Sequence, residues 1–195
     1  RATSPKMAAP QVATTTLENK AGQKVAASEA LKGKVVALYF SAHWCPPCRG
    51  FTPQLAAAYE MANEDEKRFE VVFVSSDESA QACLHGRARR LPRAPTDPMA
   101  VLVALQAQAG YMEEMHGDWL RVPFDSPLRD ALKQQYGCFG AKEQPLWPAV
   151  TRRNGIPSLV VVGPDGAELE FNGTDLVSRA GPEAIATWAK FAWPA

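Results

Sequence analysis

Apolar residues never run for the roughly 20 positions that a helix needs to cross a bilayer, so the sequence offers no helical membrane span and predicts a soluble domain. It also lacks a charge of one sign. Lys plus Arg total 21 and Asp plus Glu total 21, which removes the usual electrostatic case for nucleic acid or an anionic membrane as partner. No glycine-rich phosphate loop is present, so nothing requires a nucleotide or flavin. Cysteine is scarce. Cys45, Cys48, Cys83 and Cys138 are too few for a dense disulfide framework, and this usage points to a reducing compartment, with a cytoplasmic location expected and an organellar one left open. Arg1 to Gln11 contain no secretory apolar core; they are rich in Ala, Ser, Thr and Pro, which leaves a transit peptide as the alternative.

What is present is a reactive turn. The apolar run Val35 to Phe40 is followed at once by Ser41-Ala42-His43-Trp44-Cys45-Pro46-Pro47-Cys48-Arg49-Gly50, and then by a helix-like stripe of Phe51, Leu55, Ala58, Tyr59 and Ala62. With Cys45 as N-cap, Pro46 and Pro47 occupy the first helical turn, where a missing N–H is harmless, and Cys48 supplies the first free amide donor. That donor and the positive end of the helix dipole favour a thiolate on Cys45. A cysteine with pKa about 8.5 is a few per cent ionised at neutral pH, and one lowered to about 7 is half ionised. Cys45 is therefore the expected nucleophile, and Cys48, one turn on and less exposed, the expected resolving thiol.

Two other readings compete. A structural zinc site would need four ligands, and no second cysteine pair accompanies the three histidines. A static structural disulfide usually closes a longer loop than this one. The vicinal pair also argues against a peroxidase, which uses an isolated peroxidatic cysteine.

The run Tyr39 to Thr52, YFSAHWCPPCRGFT, resembles the active-site segment of the tryparedoxins and nucleoredoxins, a branch of the thioredoxin superfamily. The resemblance covers roughly Leu17 to Trp193. It implies a thioredoxin-like α/β fold, a central mixed β-sheet flanked by helices, with a tail over residues 1–16 and the domain over 17–195. Two insertions interrupt the family pattern, at about 80–109 and 138–153. It implies dithiol–disulfide exchange on protein disulfides such as that of a peroxiredoxin, with trypanothione or thioredoxin as the external dithiol, no metal or other cofactor, and a monomer. A redox-switched binding module of nucleoredoxin type is the alternative. Two positions depart from the tryparedoxin pattern and weigh against trypanothione: Ser76 stands where a tryptophan is usual, and Gly173 near a usual arginine.

The resemblance also assigns roles. Tyr39 replaces the buried carboxylate of classical thioredoxins and is either a proton relay or a packed aromatic with a satisfied hydroxyl. Trp44, Pro46 and Pro47 form the surface that meets a substrate, and Ile156-Pro157 forms a cis peptide whose flanking backbone pairs with an extended substrate segment.

Elsewhere the chain reads locally. A hairpin turns at Lys20 to Gly22, Phe69 to Asp77 is a second buried strand, and Pro98 to Met112 includes a helix with an apolar face. Ser126, Pro127 and Gly137 bracket another helix. Ala167 to Phe171 returns antiparallel after a Gly163 to Gly166 turn, and a last helix runs from Pro182 through Ala192. The arginines of the first insertion, Arg87, Arg89, Arg90 and Arg93, read as a solvated loop or an acidic-partner dock, and Cys83 as an ordinary free thiol.

Overall fold

The computed structural model describes residues 12–77 and 110–194. The central strand is β3 (Val35–Ser41), buried along its whole length. Its side chains alternate between two cores, as a pleated strand requires. Val35, Ala37 and Tyr39 face one, and Val36, Leu38 and Phe40 face the other. Because both faces are covered, the strand is continuously apolar and β-branched at its start.

Around it lies one seven-stranded mixed sheet, in the order β2-β1-β5-β4-β3-β6-β7. Its other strands are β1 (Thr16–Glu18), β2 (Lys24–Ala26), β4 (Phe69–Ser75), β5 (Leu120–Arg121), β6 (Ser158–Val162) and β7 (Glu168–Glu170). β4 runs parallel to β3 and β6 antiparallel to it. The C-terminal end of β3 is therefore flanked by the C-terminal end of β4 and the start of β6, with Ser41 opposite Ser75 and Phe40 opposite Ser158. A short helix α1 (Ala27–Ala30) leads into β3.

Helix α2 (Pro46–Ala62) returns over the Tyr39 face, burying Phe51, Leu55, Ala58 and Tyr59; Pro53 lies within it and does not end it. Its C-cap Asn63 exchanges two hydrogen bonds with the backbone of Phe69, tying the helix end to the start of β4. On the opposite face packs α3 (Leu128–Tyr136) through Leu128, Leu132 and Tyr136. Ser126 Oγ accepts the Leu128 N–H at its start. Gly137 ends it in the left-handed region at φ 65°, and a Cβ there would lie 2.7 Å from the Thr151 carbonyl oxygen, so glycine is demanded twice over.

Several expectations change. The tail was drawn through residue 16, yet Val12–Thr14 form a 3-10 turn with Val12 buried and Thr16 opens β1. A helix α4 (Gly173–Ala180) follows β7, where the sequence reading had none. The expected last helix breaks after α5 (Pro182–Thr187) and resumes as a 3-10 turn over Ala189–Phe191, because Trp193 is drawn onto the sheet: its backbone N–H bonds Lys34 O and its Nε1 bonds Val162 O. The first insertion, Cys83 and the start of the helix expected from Pro98 lie outside the described residues; residues 110–115 are helical. No helix among the described residues is long and apolar enough to cross a membrane.

Candidate active site

Cys45 and Cys48 are joined as a disulfide at the N-terminus of α2, with Cα atoms 5.2 Å apart. Cys45 is the N-cap in extended backbone, Pro46 and Pro47 fill the first turn, and the Cys48 N–H donates to Cys45 Sγ at 3.3 Å. Negative charge on this sulfur would meet both that amide and the helix dipole. Both sulfurs are screened from solvent, Cys45 at 4% exposure and Cys48 at 0%. The prolines between them stand exposed.

Across the sheet end, Ile156-Pro157 is cis, and the Ile156 carbonyl oxygen lies 3.7 Å from Cys45 Sγ. Antiparallel β6 makes this possible, because its first residues fall beside the last residues of β3. Trp44, directly before Cys45, is 36% exposed. It rests on the second insertion: Lys142 Nζ sits 5.0 Å from its ring centre, and a Cβ on Gly140 would come within 3.2 Å of its Cη2. The insertion is anchored rather than loose. Its Cys138 and Phe139 are fully buried, Cys138 bridges to Asn154, and Trp147 packs edge-on against Phe139. Glu143 binds the buried Lys133 ammonium of α3 at 2.6 Å and the Gly140 N–H at 2.7 Å.

The turn before the disulfide has a support that the sequence reading missed. Asp77, buried just beyond β4, accepts from the His43 backbone N–H at 3.0 Å and pairs with His43 Nδ1 at 2.6 Å, both through Oδ1. Its Oδ2 accepts the Ser75 hydroxyl at 2.7 Å. The His43 side chain remains 38% exposed. Parallel pairing of Ser41 with Ser75 carries both chains off the same sheet edge, so residues two positions beyond each strand meet. Functional residues cluster at the carboxyl ends of adjacent parallel strands, and that rule was the available signal.

Tyr39 is fully buried, and its hydroxyl lies 2.7 Å from Thr52 Oγ1. Thr52 donates its own proton to Cys48 O at 2.7 Å and also meets the Tyr111 hydroxyl, which in turn contacts Ser41. Burial pushes the Tyr39 pKa far above the ordinary phenol range. Among the described residues no direct hydrogen bond links this hydroxyl to either sulfur; it is satisfied by Thr52. Cys138 is a buried free thiol, its pKa pushed up to about 11 by burial. No group of three or more His, Cys, Asp or Glu among the described residues is placed to hold a metal ion.

A vicinal cysteine pair capping a helix, set against a cis-proline at the edge of a mixed sheet, defines a thioredoxin-fold protein. Residues 33–97 match the family model described as thioredoxin-like. A thioredoxin from Wuchereria bancrofti is 35% identical, with coverage of 92% of this chain and 96% of that one and a TM-score of 0.61. A tryparedoxin from Trypanosoma brucei is 29% identical, with 94% coverage of each chain and a TM-score of 0.59. Probable nucleoredoxin 1 of Arabidopsis thaliana is 31% identical over 165 residues, which is 85% of this chain and 21% of that protein. The chain belongs to the tryparedoxin/nucleoredoxin-like branch of the thioredoxin superfamily, a family of thiol oxidoreductases. It spans about a fifth of the length of that nucleoredoxin.

Proposed function

We propose that this domain reduces protein disulfides through the Cys45–Cys48 pair. The reading is carried by one observation: Cys45 Sγ receives the Cys48 N–H at a helix N-terminus while the Ile156 carbonyl, beside a cis-proline, stands 3.7 Å away. In the reduced protein the Cys45 thiolate attacks one sulfur of a substrate disulfide. The other substrate sulfur leaves as a thiolate and takes a proton. Cys48 then loses its proton and attacks Cys45 Sγ, expelling the second substrate thiol and leaving the disulfide seen here. An external dithiol returns the two electrons. Ile156 and Pro157 would align an extended substrate segment, with Trp44, Pro46 and Pro47 as its apolar floor.

A protein dithiol of thioredoxin type suits the site better than trypanothione. Gly173 admits no side chain, since a Cβ would lie 2.6 Å from the Leu159 carbonyl oxygen, and Ser76 is buried. Neither position therefore offers the aromatic or arginine contact expected of a tryparedoxin. A redox-switched binding module is the second reading. It is favoured by the insertion packed on Trp44, which would register any change in the disulfide turn.

Turnover of a model protein disulfide, with trypanothione, thioredoxin and dithiothreitol as donors, decides between them. Turnover lost on Cys45→Ser is the expected result. A folded protein with a reactive Cys45 thiol and no turnover with any donor would overturn it in favour of the binding switch.

A further inference from the structure

Resting on that reading, we propose that the groove takes a substrate segment bearing carboxylates beside its disulfide, and that Lys142 and Arg152 of the second insertion, with Arg49 of α2, select for it. Each of these cations adjoins a residue next to the disulfide or to the cis peptide. Lys142 Nζ lies 5.0 Å from the ring of Trp44, the residue preceding Cys45. Arg152 is held in place by Nε donating to Phe139 O at 3.0 Å. Its guanidinium then lies over Gly155, where its Nη2 occupies the space a Cβ would need, 2.7 Å from that position. Gly155 directly precedes Ile156, whose carbonyl faces Cys45 Sγ. Arg49 follows Cys48 and is exposed on the first turn of α2.

Three carboxylates among the described residues of this region are already committed. Glu143 is bound by Lys133 and the Gly140 amide, Asp77 by His43 and Ser75, and Glu168 by Arg153. Among the described residues, Lys142, Arg152 and Arg49 have no carboxylate within ion-pair distance. The chain as a whole is neutral, so the attraction rests on these local charges rather than on the net charge of the protein. A low-dielectric wall of Trp44 and Ile156 beside fixed cations is the arrangement that raises the local concentration of an anionic ligand and speeds its arrival. An acidic peptide segment fits it; a lysine-rich one is repelled.

The test uses two disulfide-bridged peptides, identical except that glutamates flank the cysteines in one and lysines in the other. The wild-type protein should reduce the glutamate peptide about tenfold more efficiently in kcat/KM at about 0.02 M salt, mostly through KM, and only about twofold more efficiently at about 0.5 M. In K142E/R152E the ratio should fall to one or invert. The ratio is internal to each sample, so a loss of folded protein cannot mimic the effect. Equal wild-type rates on both peptides would overturn the acidic-substrate inference and leave disulfide reduction standing. A preference unchanged in K142E/R152E would overturn the assignment to these residues. Absence of Cys45-dependent reduction of either peptide would overturn both this inference and the reading it rests on.

Discussion

Asp77 illustrates how much one buried carboxylate can fix. Its hydrogen-bond partners are the His43 amide, the His43 ring and the Ser75 hydroxyl, and the buried Arg129 guanidinium acts on it through space. Removing the Asp77 carboxylate strands the Ser75 hydroxyl and the His43 amide and frees the turn that presents Trp44 and Cys45. Asp77→Ala should lower stability by about 2 kcal/mol, read as a shift of the urea midpoint at unchanged m-value. It should also slow alkylation-competent presentation of Cys45, read as the rate of iodoacetamide labelling of the reduced protein. Asp77→Asn keeps one acceptor and should fall between. Nothing in the local sequence marks His43 or Asp77 as partners. The reactive pair announced itself because its chemistry is local to four consecutive residues, whereas the His43–Asp77 contact joins two segments 34 residues apart in the chain. Tyr39 was legible as buried, but only the position of Thr52 reveals where its hydroxyl is directed.

At the level of elements, the second insertion is held by a buried ion pair. Lys133 is 1% exposed in its side chain and Glu143 13%, so removing the carboxylate leaves an ammonium in a poor solvent with only Asp130 at 3.4 Å. Glu143→Ala should cost about 3 kcal/mol, and the apolar double variant K133M/E143L should recover much of that loss; equilibrium unfolding of the three proteins checks it. Trp44 should report the same change, its fluorescence shifting in Glu143→Ala because the segment beneath it loosens. Sequence marked this insertion only by its departure from the family pattern, and the structure puts Gly140 and Lys142 against Trp44. It gave no means of seeing that Cys138 and Phe139 would be core residues. The strands β3 and β4 were readable because apolar residues dominate each, with Glu70 the one charged residue in either. Helix α4 was not: it begins at Gly173 without a side-chain cap and buries little beyond Val177.

Across the whole molecule, protonation of a core histidine limits tolerance to acid. His116 sits among the rings of Tyr39, Phe73, Tyr111 and Trp119, accepts the Trp119 Nε1–H at Nδ1, and has its pKa lowered from 6.5 to about 3, first by burial and then by Lys20 and Arg121. The unfolded chain binds this proton near 6.5 and the folded chain near 3, so unfolding takes up a proton between them. This contribution to stability is present above pH 6.5 and is lost by about 1.4 kcal/mol per pH unit as the pH falls through that window. The slope of unfolding free energy against pH should be shallower in His116→Gln by that amount. Glu70, raised by burial, acts with the opposite sign, so the comparison belongs between variant and wild type. The pairing of β3 with β6 also bears on synthesis. Cys45 and Ile156 are 111 residues apart, so a ribosome delivers both thiols, and the whole of β3 and β4, well before the strand that completes the groove. Until β6 arrives, one edge of the most apolar strand in the sheet stays open to any neighbouring chain. A nascent chain stalled short of Ser158 would carry the reactive pair and an open strand edge together, before the cis peptide that faces the disulfide exists.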